Sequence, residues 1–260
     1  MHTSTRFLLC VTSLLLTTLS HAETEQTAGT QEKPLSNNFF GLAVAGVPKT
    51  PGNSSMGAMA LPLIQYDYQD MAYIHGIKAG VWVYDLDDKK LRIGLYAEPR
   101  FGFKGSDSSL TNGMATRDLS IDFGPSLRWQ TDIGVFNLDY GFDVLGKSNG
   151  QALRAQFTRP LVQQTGFVVN GVLGATWQNA AMNNYYYGVG AADTGGGLTQ
   201  YSAASGTSTS VGVNGLYAFN MTGAVFFGAT IHRLSDAQAD SPIAERRYVP
   251  TLYLGYGWRM

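Results

Sequence analysis

The sequence is poor in cysteine, histidine and charge, and each shortage excludes a class of site. Its single cysteine is Cys10, which lies in an N-terminal segment that we expect to be removed on export. A mature chain without cysteine forms no disulfide and has no thiol chemistry. Only His75 and His232 remain after that removal, so a histidine-rich metal centre is excluded. We predict no metal and no other cofactor.

Excess positive charge is also missing. The full chain has 18 Lys and Arg against 19 Asp and Glu, a net charge of −1. Loss of Arg6 with the N-terminal segment leaves 17 against 19, a net charge of −2. No basic cluster is available to hold a phosphate backbone, so nucleic acid is not a predicted partner.

Apolar runs long enough for a membrane-spanning helix are absent as well. Residues 7–19 form a 13-residue apolar run after Arg6, and Ser20-His21-Ala22 follows. This pattern predicts a secretory signal peptide over residues 1–22. The run is shorter than the roughly 20 residues that a spanning helix needs, which disfavours the alternative of an uncleaved anchor. Residues 23–38 are polar without periodicity and predict a flexible periplasmic segment.

From Phe39 onward, the sequence contains stretches in which apolar and polar residues alternate with a period of two. Apolar and polar side chains alternate throughout LSIDFGPSLRWQ (residues 119–130) and from Phe136 to Val144 in VFNLDYGFDVLG (135–146), which indicates β-strands. Strands of soluble proteins are usually about 5–6 residues long, whereas these approach the length that crosses a bilayer at a tilt. A soluble β-sandwich is the disfavoured alternative. We therefore predict that residues 39–260 form an all-β, transmembrane antiparallel up-and-down β-barrel in the outer membrane, with lipid as a partner.

The alternating pattern is weakest at the start of the barrel, before residue 86. Outer-membrane barrels of this kind have an even number of strands, but the pattern gives eleven candidates. A break at His75-Gly76 inside 71–85 raises the count to twelve, which we favour. If 39–47 is not a full strand, the count falls to ten. The candidates are residues 39–47, 58–68, 71–85, 90–103, 119–130, 135–146, 151–162, 167–179, 207–220, 224–235 and 248–260.

The polar face of the alternating strands is expected to line the lumen, with the apolar face against lipid. Its charges are equal in number of each sign, and buried charges need partners. An internal salt-bridge network is the favoured interpretation; a narrow polar conduit and a catalytic carboxylate pair are the alternatives. His232 and Ser235 point to opposite faces of a strand, so they form no hydrolase pair, and we predict no catalytic residues and no enzyme activity. The predicted lumen charges are Arg92, Glu98, Arg100, Asp122, Arg128, Asp139, Asp143 and Arg154.

Four stretches together resemble the MipA/OmpV family of Gram-negative outer-membrane proteins. They are ALPLIQYDYQD (60–70), NNYYYGV (183–189), RLSDAQADSPIAE (233–245) and the C-terminal TLYLGYGWRM. The Tyr-Tyr-Gly-Val and Asp-Ser-Pro motifs are the more specific ones, and the resemblance extends from Phe39 to Met260. Such barrels usually end in Phe, so Met260 is a departure.

The resemblance implies a non-enzymatic scaffold that joins a murein-degrading lytic transglycosylase to a peptidoglycan synthase. A narrow channel or small-solute-binding barrel, and a surface antigen or adhesin, are the alternatives. We expect the barrel assembly machinery to recognise the alternating C-terminal residues Leu252, Leu254, Tyr256, Trp258 and Met260. The candidate external contacts, for which loop packing or an aromatic girdle is the alternative, are Tyr185, Tyr186, Tyr187, Asp240, Ser241 and Pro242.

Overall fold

The computed structural model describes residues 38–260, and these residues form an antiparallel β-barrel with two short helices. The predicted signal peptide and nearly all of the predicted N-terminal segment lie outside the described residues. The strands are β1 (Phe39–Pro48), β2 (Met56–Tyr68), β3 (Ala72–His75), β4 (Lys78–Leu86), β5 (Leu91–Arg100), β6 (Ser120–Thr131), β7 (Gly134–Asp143), β8 (Gln151–Gln164), β9 (Phe167–Gln178), β10 (Gly206–Ala218), β11 (Gly223–Arg233) and β12 (Tyr248–Arg259), and the helices are α1 (Ala180–Tyr187) and α2 (Asp236–Ala239).

The sheet closes because its first and last strands pair with each other. Each strand pairs with its sequence neighbours, and β1 lies antiparallel to β12 from Phe39↔Arg259 to Gly46↔Leu252. Closure leaves no edge running the full height of the sheet. The prediction of a closed antiparallel barrel is confirmed, and so is the favoured count of twelve strands.

The twelfth strand comes from the break predicted near His75-Gly76. Gly76 has a positive φ of 63°, a conformation that glycine adopts without steric cost. It allows a tight turn between β3, which is only four residues long, and β4. The apolar run 71–85 is therefore a hairpin and not one strand.

The two ends of the barrel differ in the length of their connections. At one end, here called the loop end, lie the long segments 101–119, 179–205 and 234–247, with helices α1 and α2. At the other, the turn end, strands are joined by connections of a few residues. Asn179 starts α1, since its side chain accepts a hydrogen bond from the Met182 amide. No helix within residues 38–260 is long and apolar enough to cross a membrane.

Large apolar side chains cover the outside of the barrel, as β12 illustrates. Leu252, Leu254, Trp258 and Met260 are all exposed, with Leu254 exposed by 62%. Tyr256 is half-buried and packs edge-on against Trp258 at 4.7 Å. On the other face of this strand, the small residues Thr251, Gly255 and Gly257 are buried. An apolar outward surface of this kind suits contact with the hydrocarbon of a bilayer.

The lumen is not uniformly polar, and here the expectation from the alternating pattern is wrong. On β1 the inward positions are Phe39, Gly41, Ala43, Ala45 and Val47, so both faces of this strand are apolar. They join two buried apolar clusters that fill the side of the lumen bounded by β1, β2, β11 and β12. The buried members of these clusters are Phe39, Ala43, Leu63, Leu216, Ala224 and Phe226 in one, and Ala45, Val47 and Leu61 in the other.

Candidate functional site

The remaining side of the lumen is charged, and strand register brings the charges together. Glu98 on β5 lies opposite Asp122 on β6, and Asp139 on β7 lies opposite Arg154 on β8. Directly opposed residues on one face of an antiparallel pair are close enough for their side chains to interact. Four strands thus aim their charged side chains at one region of the lumen.

Two groups of ion pairs form there. Lys78 Nζ lies 2.6 Å from Asp139 Oδ2, and Arg154 Nη1 lies 2.8 Å from Glu98 Oε2 and 4.0 Å from Asp139 Oδ2. In the second group, Arg100 Nε donates to both carboxylate oxygens of Asp122 at 3.1 Å. We call this set the lumen ion-pair cluster; its members are Lys78, Glu98, Arg100, Asp122, Asp139 and Arg154.

The cluster is largely shielded from water. Its most exposed member, Lys78, is 14% exposed, and Asp122 is 2% exposed. Neutral groups complete its contacts, since Ser126 Oγ donates to Asp139 at 2.6 Å and Lys78 Nζ lies 4.6 Å from the centre of the Tyr96 ring. Removing charge from water is costly unless the charges are paired and hydrogen-bonded. The cluster therefore fills its side of the lumen as a set of mutually dependent contacts.

Three predicted lumen charges lie outside this cluster. Arg92 pairs with Asp85 at 2.8 Å near the turn end and lies over the Trp82 ring. Arg128 is buried on β6, and its cross-strand partner on β5 is Arg92. At the loop end, Asp143 accepts hydrogen bonds from Ser120 and from residues 145–149, so it orders the connection between β7 and β8. Its partners are the Ser120 hydroxyl, the Ser148 hydroxyl and the amides of Leu145, Ser148 and Asn149.

The three long connections fold over the loop end together with residues 49–55, and we call this unit the loop cap (residues 49–55, 101–119, 179–205 and 234–247). Tyr186 and Tyr187 of α1 pack with Leu234 and with Val249 of β12. A second buried group joins the three long connections to one another. Its members are Phe103, Met114, Val189 and Ile243.

Polar contacts tie the cap to the barrel rim. The Gln238 side chain donates to Gln178 Oε1 at 2.7 Å and to Asn183 Oδ1 at 3.0 Å. Tyr201 donates to the Ala237 carbonyl at 2.9 Å. Gln238 is on α2, Gln178 ends β9 and Asn183 is on α1. One buried amide thus holds two helices and a strand together.

Electrostatics adds a further link within the cap. Arg117 Nη2 lies 2.8 Å from Asp193 Oδ2, and the Ala115 amide donates to Asp193 Oδ1 at 2.8 Å. Burial by itself raises the pKa of Asp193, but these hydrogen bonds and the Arg117 charge outweigh it and hold the pKa below its ordinary value. The ionised carboxylate therefore stabilises the cap.

A polar cavity remains between the cap and the lumen ion-pair cluster. It could hold a small solute with several hydrogen-bonding groups, since amide, guanidinium and imidazole groups face it. Among its lining residues are Arg100, Arg154, Gln156, Gln178, His232 and Gln238. Within the part of the chain that the structure describes, no group of three or more His, Cys, Asp or Glu side chains is arranged to hold a metal.

Comparison with known sequences places the chain. The sequence model of the family described as MltA-interacting protein MipA matches residues 40–260. The chain belongs to the MipA family. Its relatives include the MltA-interacting proteins of Escherichia coli (strain K12) and Shigella flexneri. Each is 25% identical over 238 residues, which cover 83% of this chain and 93% of the relative.

Solved structures similar to this chain include a porin and an outer membrane secretin. The NanC porin has a TM-score of 0.46 at 10% identity, covering 84% of this chain and all of the porin chain. A bacterial polysaccharide outer membrane secretin has a TM-score of 0.40 at 11% identity, covering 86% and 98%. The family, the closed sheet and the apolar outer surface together describe an outer-membrane β-barrel.

The predicted external contacts of this MipA family barrel divide into buried and accessible residues. Tyr186, Tyr187 and Ser241 are buried within the loop cap, with Tyr186 only 2% exposed. For these three residues the loop-packing alternative fits the structure, because the cap uses them for packing between its segments. Tyr185 and Pro242 are partly exposed and Asp240 is exposed. Partner contact through these three, and the adhesin alternative, stay predictions.

Sequence reasoning missed one central residue, Lys78, and one peripheral pair. Lys78 begins β4 immediately after the hairpin turn, and an alternation continued without a shift through the predicted break points its side chain outward. The other missed contact joins His75 Nε2 to Asp67 Oδ1 at 3.0 Å, between β3 and β2. Placing the break after His75 and restarting the alternation at Lys78 would have put the Lys78 side chain on the lumen face.

Proposed function

We propose that this MipA family barrel is a non-enzymatic scaffold that binds a peptidoglycan-remodelling enzyme in the periplasm. The observation that carries the proposal is the relationship to proteins named for their interaction with MltA, along 83% of this chain. The resemblance implies that the partner is a murein-degrading lytic transglycosylase, with a peptidoglycan synthase as a further member of the assembly.

The interior of the barrel supports a role carried by the outer faces. Apolar clusters fill one side of the lumen, ion pairs fill the other, and the loop cap covers the loop end. The barrel thus presents two surfaces to water, the cap and the turn end. Short turns face the periplasm in outer-membrane barrels and longer loops face outward, so a murein enzyme would meet the turn end.

The turn end offers both apolar and charged groups for docking. Ile133 and Met221 are 57% and 69% exposed at the tips of two turns. Two other turns at this end carry the exposed ion pair Lys89–Asp70 at 2.8 Å. Exposed apolar side chains on a surface that also carries polar groups are typical of protein-binding surfaces.

The direct test is binding of a purified MltA-type lytic transglycosylase to the barrel in lipid nanodiscs. We expect saturable binding, and we expect Ile133→Asp and Met221→Asp each to weaken it about tenfold, which corresponds to about 1.4 kcal/mol. Leu145→Asp is the matched control, because Leu145 is similarly exposed but lies between β7 and β8 at the loop end.

Two results would contradict the scaffold. One is the absence of binding to the folded barrel in nanodiscs, together with normal wall turnover in a deletion strain. The other is binding that Leu145→Asp removes and the turn-end variants leave unchanged, because the partner would then dock on the wrong face.

Small-solute binding is a second candidate, and the cavity beneath the loop cap favours it. Arg100, Arg154 and Gln156 supply several hydrogen-bond donors to that space. Calorimetric titration of the purified barrel with small organic anions and amides would test it. A solute-binding barrel should lose its ligand on Gln156→Leu, whereas the scaffold predicts that enzyme binding at the turn end is unaffected by this change.

A further inference from the structure

The barrel wall is incomplete beside the short β3–β4 hairpin. Strand β2 has 13 residues but pairs with β3 only from Gln65 to Tyr68. Strand β4 pairs with β5 no farther toward the loop end than Ala79↔Ala97. Among the described strands, none pairs with residues 56–63 of β2 on the side away from β1. We call this opening between β2 and the end of β5 the wall gap.

The free edge of β2 carries a proline where an amide would otherwise point into the gap. Gly76 N donates to the Ile64 carbonyl across the β2–β3 pair, so Ile64 and every second residue before it direct their backbone groups away from β1. Pro62 is one of these residues and has no N–H to leave unpaired.

The opposite edge has the same feature. Gln130 N donates to the Lys90 carbonyl, so even-numbered residues of β5 direct their backbone groups toward β6 and odd-numbered ones toward β4. Pro99 therefore faces the gap, beyond the last pair with β4. Unpaired donors are costly in a bilayer and proline in sheets favours free edges. Both prolines thus fit an edge that lies in an apolar medium.

The wall gap lies at the height of the lipid-facing surface. Ala60 and Pro62 of β2 pair with Val44 and Leu42 of β1, and Val44 pairs with Leu254 of β12. Val44, Leu42 and Leu254 are exposed by 51%, 57% and 62% on the outside of the barrel. The gap is therefore level with hydrocarbon, on the half of the barrel nearer the loop end, which is the outer leaflet.

The space behind the gap is apolar and is separate from the charged side of the lumen. A small cavity there is lined by residues of β1 and β2, by Gly76 and Ile77 of the hairpin tip and by Tyr253. Phe101 follows the outward-facing alternation of β5 but packs against the buried apolar cluster behind the gap. The side chains of this cluster and its neighbours are Ala45, Val47, Met59, Leu61, Ile77, Phe101 and Tyr253.

We propose that the wall gap binds one acyl chain of an outer-leaflet lipid. The chain lies between the free edge of β2 and the hairpin tip, with its methylenes against Pro62 and Ile77 and close to the buried Leu61. An acyl chain suits this place because the side chains around the opening are apolar, and because the surrounding bilayer presents such chains there. Bound there, it covers the edge of β2 and packs against the buried cluster.

Quenching by a nitroxide on a lipid acyl chain tests the proposal. A fluorophore is attached to Leu61→Cys, which is straightforward because the mature chain has no cysteine of its own. The labelled barrel is placed in phosphatidylcholine vesicles, some carrying nitroxide on the acyl chain. We expect the label at Leu61→Cys, which faces inward, to be quenched as strongly as a label at Leu42→Cys on the outer surface. A label at Gln156→Cys, on the charged side of the lumen, should not be quenched.

Two further variants keep the test decisive. Ala45→Cys repeats the measurement if the label at Leu61 prevents folding, which a heat-dependent gel shift would show. Ile77→Trp fills the space at the hairpin tip and should remove quenching at Leu61 while leaving it at Leu42. The proposal is overturned if the labels at Leu61 and Ala45 are both unquenched while the label at Leu42 is quenched. It is also overturned if Ile77→Trp leaves the quenching at Leu61 unchanged. If the label at Leu61→Cys were quenched only after removal of a co-purifying protein, the gap would be the binding site of a protein segment and the proposal would be wrong.

Discussion

The two sides of the lumen are stabilised in different ways although the same sheet supplies both. On the side of β1, β2, β11 and β12, buried residues such as Leu63 and Phe226 pack as in the core of a soluble protein. On the side of β5 to β8, Asp139 and Arg154 belong to a buried ion-pair cluster. On the apolar side, a truncation should lower the free energy of unfolding in proportion to the volume that is lost. On the charged side, removing any one partner leaves a buried charge unpaired and should be strongly destabilising.

The comparison also bears on function. Within residues 38–260, apolar side chains pack together on one side of the lumen and paired charges lie on the other. The loop cap covers both sides at one end. This arrangement favours the proposed scaffold over the narrow-channel alternative, which a conductance measurement tests.

The largest expected effect is on the charged side. Asp139→Ala removes the carboxylate that contacts Lys78, Arg154 and Ser126, and we expect it to lower the free energy of unfolding by about 3–5 kcal/mol. Urea unfolding of the detergent-solubilised barrel measures the change. The double variant Lys78→Met/Asp139→Leu should recover most of the loss, since it removes both charges. No recovery would mean that the cluster acts through something other than charge pairing.

A matched truncation on the apolar side should follow closely in size. Leu63 is 1% exposed and packs in the cluster with Phe226, so Leu63→Ala is expected to cost about 2–4 kcal/mol through the cavity that it leaves. Leu63→Met should cost less than about 1.5 kcal/mol because it keeps the volume. If Leu63→Met were as harmful as Leu63→Ala, volume would not be what stabilises this side.

A smaller loss is expected when a neutral member of the charged side is removed. Ser126→Ala deletes the 2.6 Å hydrogen bond to Asp139, and a hydrogen bond to a charged group contributes about 1.5–3 kcal/mol. The loss should vanish in the Lys78→Met/Asp139→Leu background, because the acceptor is gone. An equal loss in both backgrounds would contradict the coupling of Ser126 to the cluster.

The loop cap, which lies over both sides, should respond to acid. The pKa of Asp193 is depressed in the folded state, so its contribution is fully present above its ordinary value of 3.8 and is lost as pH falls through the folded pKa. The protection factors of the amides of residues 188–201, which correct for the pH dependence of intrinsic exchange, should therefore fall at low pH. Asp193→Asn should lower these protection factors already at neutral pH and show little further decrease in acid. Protection factors that stay constant in the native protein down to pH 3 would contradict this.

The smallest effect is expected for an ion pair in water. Arg247 contacts Asp236 and lies 3.3 Å from Asp240 on the outer surface of the cap. We expect Arg247→Ala to change the free energy of unfolding by about 0–1 kcal/mol, and less at high salt. If Arg247→Ala lowered the free energy of unfolding as much as Asp139→Ala does, buried and exposed ion pairs would not differ in their contribution to stability, which would contradict the account.

Much of the fold follows from the sequence because alternation reports strands directly. Residues 119–130 alternate without interruption, as do residues 136–144 within 135–146, and the structure has β6 (Ser120–Thr131) and β7 (Gly134–Asp143) there. Alternation does not say which face meets lipid when both faces are apolar, as in β1, where large Phe40, Leu42 and Val44 face outward and small alanines face inward. The sequence therefore predicts a polar lumen and misses its apolar side.

The site was less predictable than the strands. Glu98 and Asp122 could be assigned to one face of their strands, but which charges meet depends on the register between strands, and alternation does not fix it. The fold of the loop cap was also missed. Burial of Tyr186 and Tyr187 results from contacts with segments far away in sequence, and their local pattern suits exposed and packed rings equally.

Planar-bilayer conductance of the purified wild-type barrel tests the central claim most directly. The claim is that side chains and the loop cap close the lumen. It predicts no stable conductance steps for the wild-type protein under an applied voltage, with the heat-dependent gel shift showing that the inserted protein is folded. Reproducible ohmic steps from the wild type, with an ion selectivity that changes when Arg100 or Asp139 is replaced, would show an open polar path past the ion-pair cluster and would contradict the account.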